Sequence, residues 1–120
     1  MDEQIPIIVH PEVLQHLRKR RMVRAWRKAI RKLNEMFPDA VCFEAEFDQE
    51  WAERRLYSTI ATTVVIDMPS SEFRDRMHKF FEWLRNLHRR LFLDMALMRS
   101  PYRDMALVKE IEEIEERKGR

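Results

Sequence analysis

The side chains best suited to chemistry lie between residues 44 and 67. Glu44, Glu46 and Asp48 alternate with apolar neighbours and so share one face of a strand, and Asp67 closes the β-branched segment that follows. Carboxylates on adjacent strands can hold Mg²⁺ for phosphoryl transfer. Any half-exposed strand shows such a row, however, and edge charges also keep sheets from pairing with one another. No lysine follows at the spacing nucleases use, and no Gly-Ser precedes at that of nucleotidyltransferases. A metal-dependent phosphoryl-transfer enzyme is therefore the third of three functional expectations.

Other titratable groups are weaker candidates. Asp75, His78 and Glu82 share one exposed helical face and are of metal-ligand type, but salt links with Arg74, Lys79 or Arg85 account for the same pattern. His88 sits on an apolar seam, where a hydrogen-bonded core histidine is commoner than a catalytic base. His10 and His16 are six apart, which does not align them on a helix. Cys42 has no histidine near it in sequence and makes a poor nucleophile. Gly119 is the one glycine. Phosphate-cradling loops, dinucleotide fingerprints and nucleophile elbows need glycine where the backbone turns sharply or approaches a ligand, so those classes are excluded. No catalytic, cofactor-binding or metal-binding residue is assigned, and the chain is expected to be non-enzymatic and to carry no cofactor.

Charge directs attention to one helix. Lys and Arg total 23 against 21 Asp and Glu, a net charge of +2 that by itself points to no partner. Between Arg18 and Lys32, however, nine basic residues fall in fifteen positions with no acid among them. Arg20, Arg21, Arg24, Arg27, Lys28, Arg31 and Lys32 lie opposite an apolar stripe of Met22, Trp26, Ala29, Leu33 and Met36. They are the candidate phosphate- or partner-binding residues. Such a face suits DNA or RNA phosphates without sequence preference, an anionic membrane surface or an acidic protein. The ordinary reading is a solvated face paired with acids from Glu44–Asp48 or Glu110–Glu116.

The elements that must position these residues follow from hydrophobic period. The pattern predicts one domain over residues 1–120. It opens with a short strand or arm over 4–9, which Pro6 confines to a sheet edge. A helix over about 11–37 comes next, with Val13, Leu14 and Leu17 out of phase with the later stripe, so that it either breaks near Arg18 or packs differently there. Strands over about 41–48 and 56–67 form an antiparallel hairpin with a long connection. A helix over about 70–99 starts from Ser70 as N-cap and carries a seam of Phe73, Met77, Phe80, Leu84, Leu87 and Leu91. A last helix covers about 101–117. The expected class is α+β, a small antiparallel sheet packed against two long amphipathic helices plus a C-terminal helix.

Two runs are over-apolar for that arrangement, 13–17 and 92–98, the second being apolar all round if helical. Such surplus predicts docking onto another copy or another protein, with a twofold dimer the commonest form. Leu14, Leu17, Trp51, Leu93 and Leu97 are the candidate interface residues. The leading expectation is thus a non-enzymatic interaction or assembly module that self-associates, and the second a nucleic-acid-associated protein. The lone Cys42 fits a reducing, cytoplasmic setting. The acidic N-terminus does not read as a signal peptide, and no apolar run reaches the ~18 residues that span a bilayer.

Overall fold

Hydrophobic alternation at 41–47 and the phase slip near residue 20 are both realised in the computed structural model, which describes residues 4–49 and 59–100. The elements are β1 (Ile7–Val9), α1 (Pro11–Lys19), α2 (Val23–Met36), β2 (Cys42–Phe47), β3 (Ile60–Val65), α3 (Ser70–Leu87), α4 (Arg89–Asp94) and β4 (Met95–Ser100). The fold is α+β. Its sheet has four strands in the order β1-β2-β3-β4, and it is mixed where a purely antiparallel one was expected. β1 runs parallel to β2, β2 antiparallel to β3, and β3 parallel to β4. The chain therefore repeats a strand–helix–helix–strand unit, with the two units joined at the β2–β3 hairpin.

Helices of both units pack on one face of the sheet. Phe43 and Ala45 of β2, Ile60 and Val64 of β3, and Met95 and Leu97 of β4 meet Leu17, Trp26, Leu33, Phe80, Leu84 and Leu91 in one core. Both crossovers step the same way across the sheet from antiparallel strands, so they have opposite hands. One of them must be the uncommon left-handed form.

The single helix expected over 11–37 is two. Pro11 stands where its missing N–H costs nothing, and Val13 and Leu17 bury one stripe. At the end of α1, Arg21 takes φ 58°, in the left-handed region. Met22 N–H donates to the Leu17 carbonyl (2.8 Å) and Arg21 N–H to that of Arg18 (3.1 Å). These are the two bonds of a Schellman stop, and the buried Leu17 and Met22 supply its apolar pair. Glycine normally holds the left-handed position. With none near, Arg21 holds it at a cost of about 1 kcal/mol. The stop resets the helical phase, which is why the two apolar stripes do not match.

The helix expected over 70–99 is also interrupted. Ser70 is the first helical residue, not the cap, and its Oγ accepts a hydrogen bond from Arg99 Nη2 (2.8 Å). α3 stops at Leu87, where His88 turns extended, and its Nδ1 accepts from Leu91 N–H (3.2 Å) to start α4. Residues 95–100 then form β4. Met95 and Leu97 point into the core and Met98 out, the alternation of a strand. The run Met-Ala-Leu-Met favours helix by propensity, but ladder pairing with β3 overrides it. The apolar content of 92–98 is thus divided: Phe92 and Leu93 belong to α4, and residues 95–98 are sorted by strand alternation. The helix expected over 101–117 lies outside the described residues. No helix among the described residues is long and apolar enough to cross a membrane.

Candidate partner-binding groove

Between β1 and the first helix pair, packing is incomplete. Ile5, Ile7 and Val9 form one wall of a concavity of about 900 Å³, and Leu14, Val23, Trp26 and Ile30 form the other. Asn34 ties the walls together at one end: its Oδ1 accepts from Ile5 N–H at 2.8 Å, while its amide donates to the Ile30 carbonyl at 2.9 Å. Arg18, Arg27 and Arg31 stand on the rim, with Glu35 and Pro38 at one end. The floor is apolar and the rim cationic.

The basic residues singled out in the sequence divide around this groove. Arg24, Arg27, Lys28 and Arg31 are exposed along α2, and Arg20 and Arg21 are exposed at the α1–α2 joint. Among the described residues no carboxylate forms a salt bridge with any of these six, so the expected pairing with Glu44–Asp48 is not made, and the alternative partners Glu110–Glu116 lie outside the described residues. β2 turns Glu44 and Glu46 to the sheet face away from the helices. Lys32 differs from the rest. It is half-buried, its Nζ lies 5.5 Å from the centre of the Trp83 ring, and Glu35 lies 3.5 Å from it.

The candidate interface leucines separate too. Leu14 lines the groove. Leu17 is fully buried and Leu97 is 8% exposed, so both are core residues and offer no docking surface. Leu93 is half-buried, and Trp51 lies outside the described residues.

The carboxylate row does not assemble as a catalytic set with Asp67. Cys42 pairs with Val65 and Phe47 with Ile60, so Asp67 and Asp48 fall at opposite ends of the hairpin. Asp75, His78 and Glu82 are exposed on α3. Cys42 is fully buried, and burial, helped by the charge of Glu44, pushes its thiol up to about 12. At neutral pH it holds almost no thiolate, which makes it a poor nucleophile. His88 is half-buried and engaged as a cap, as a structural histidine would be.

The groove was not foreseen. Ile5, Ile7 and Val9 gave a strand signal, and Trp26 with Ile30 beside it belonged to a helical stripe. That they face each other across a gap depends on the parallel β1–β2 pairing, which leaves no local mark in a sequence.

Comparison with known proteins gives no match: no family model, no curated protein and no solved structure is significantly similar to this chain.

Proposed function

We propose that the chain is a non-enzymatic docking module that takes an acidic amphipathic segment of a partner protein into the groove beside β1. The observation that carries this reading is the pairing of an apolar floor with an arginine rim. An apolar stripe at helical spacing would lie on Ile7, Val23, Trp26 and Ile30, and its flanking carboxylates would reach Arg18, Arg27 and Arg31. Burial of each leucine-sized side chain favours binding by ~1.5–3 kcal/mol, whereas each rim charge pair contributes ~0.2–1 kcal/mol. Apolar contact therefore sets affinity, and the arginines set orientation and speed of encounter.

Leu17, Met95 and Leu97 are buried within this chain, so less apolar surface is left for self-association than the runs 13–17 and 92–98 suggest. A second reading has its own support. The exposed cations along α2, which pair with no carboxylate among the described residues, form a ridge suited to phosphates, and nucleic acid bound there would have no need of the groove.

The test is fluorescence anisotropy with two labelled probes, a helical peptide of leucines at i, i+3, i+4 and i+7 among glutamates, and a single-stranded DNA. The docking reading expects peptide binding, with Ile30→Asp weakening it about tenfold or more and salt weakening it mildly. DNA binding that falls steeply with salt and ignores Ile30→Asp would transfer function to the α2 ridge. A dimer by light scattering, dissolved by Ile30→Asp, would give the groove to a second copy.

A further inference from the structure

On the sheet face away from the helices, the parallel pairing of β1 with β2 sets unlike ligand groups side by side. Val9 pairs with Ala45, so His10 and Glu46 come abreast, and Ile8 pairs with Glu44 one step behind. His10 Nε2 lies 3.0 Å from Glu44 Oε1 and 3.9 Å from Glu46 Oε1. The three donor atoms all fall within 4.8 Å of one another. We propose that His10, Glu44 and Glu46 form a site for a divalent cation of the Zn²⁺ kind.

The geometry fits such an ion closely. Tetrahedral Zn²⁺ with bonds of about 2.0–2.2 Å separates neighbouring ligand atoms by about 3.3–3.6 Å. The two His10 separations fall on either side of that range, and with all three atoms within 4.8 Å of one another, side-chain rotation alone brings the set together. Three protein ligands leave a fourth position for water. An imidazole in the set selects against Mg²⁺ and Ca²⁺, which prefer oxygen ligands in larger number. Glu44 is well placed for a permanent ligand, its side chain 13% exposed, while the more open His10 and Glu46 (40% and 54%) leave an entry path. On binding, the ion replaces the proton that now joins His10 to Glu44. It would clip the short edge strand β1 to β2 and so brace one wall of the groove. The site itself stands independently of the docking reading.

The experiment is calorimetric titration of the chelator-treated full chain with Zn²⁺, alongside Mg²⁺ and a melting curve at each step. The expected result is one Zn²⁺ per chain, a raised melting temperature, no response to Mg²⁺ and affinity reduced about tenfold or more by His10→Ala. Glu46→Gln, at an exposed position where the fold is not at risk, must also weaken binding. His78→Ala on α3 must leave it unchanged. Absence of Zn²⁺ binding, or binding that survives both His10→Ala and Glu46→Gln, would leave only a histidine–glutamate ion pair and overturn the site.

Discussion

In the first half of the molecule, Ile7 and Val9 of β1 face α1 and α2 across a groove of about 900 Å³. In the second half, Met95 and Leu97 of β4 face their helices with 3% and 8% exposure. Both halves run strand, helix, helix, strand, so connectivity does not explain the difference. Side-chain volume and strand length do. The second half has Phe73, Phe80, Leu84 and Leu91 to fill its interior and a six-residue edge strand to receive them. The first has a three-residue edge strand, and Val23, Leu14 and Ile30 stop short of it. The joints differ likewise: His88 caps the second, whereas the first relies on Arg21 in a left-handed conformation. A chain that can seal one unit and leaves the other open on an apolar floor has a surface to cover.

The largest effect should come from truncating the sealed half. Leu84→Ala, at a fully buried position, is expected to cost ~2–5 kcal/mol of stability. Ile30→Ala should cost roughly 1 kcal/mol, since part of that side chain already faces the groove. Denaturant unfolding of the two variants checks the contrast. Equal losses would mean that the groove is packed in solution and that the two halves do not differ.

A smaller effect is expected at the strained joint. Arg21→Gly should raise stability by about 1 kcal/mol, with a higher melting temperature, because glycine adopts φ 58° without penalty. No gain would show that the α1–α2 joint is as relaxed as the one at His88.

Much of the first half was legible because its signals are local. Alternation at 41–47 marked β2, and the phase mismatch of Val13, Leu14 and Leu17 offered a break near Arg18 as one of two readings, although the stop itself rests on an arginine where a glycine is the usual sign. Pro6 marked an edge strand, and β1 is one. The second half misled, because Met95–Met98 has good helix formers in a place where sheet pairing decides. The candidate sites depend on the same non-local fact, the parallel register of β1 on β2. Glu44 and Glu46 could be read as one face of a strand, but nothing near them in sequence indicated His10. The cations of α2 were correctly seen as a face, but not as one side of a groove.

The smallest expected effect concerns pH. Hydrogen bonding to Glu44 raises the His10 pKa above its ordinary 6.5, with help from the charges of Glu46 and Glu12 and against partial burial. A raised folded-state pKa means that this pair stabilises fully below about pH 6.5 and that the contribution fades as pH climbs through the raised value. In chelator-treated buffer the stability gap between the natural chain and His10→Gln should therefore be wider near pH ~5.5 than near pH ~8.5. The change should be modest, because His10 is 40% exposed and solvent screens the pair. A gap that does not vary with pH would mean that the β1–β2 edge is held by backbone pairing alone.

The most direct test of the docking claim is a residue-resolved nuclear magnetic resonance titration of the full chain with the acidic amphipathic peptide. The account predicts amide shifts concentrated at Ile7, Val9, Val23, Ile30 and Asn34, on both walls of the groove, with the sealed half unmoved. Shifts confined to the outward ridge at Arg24 and Lys28, or no shifts at all, would contradict it.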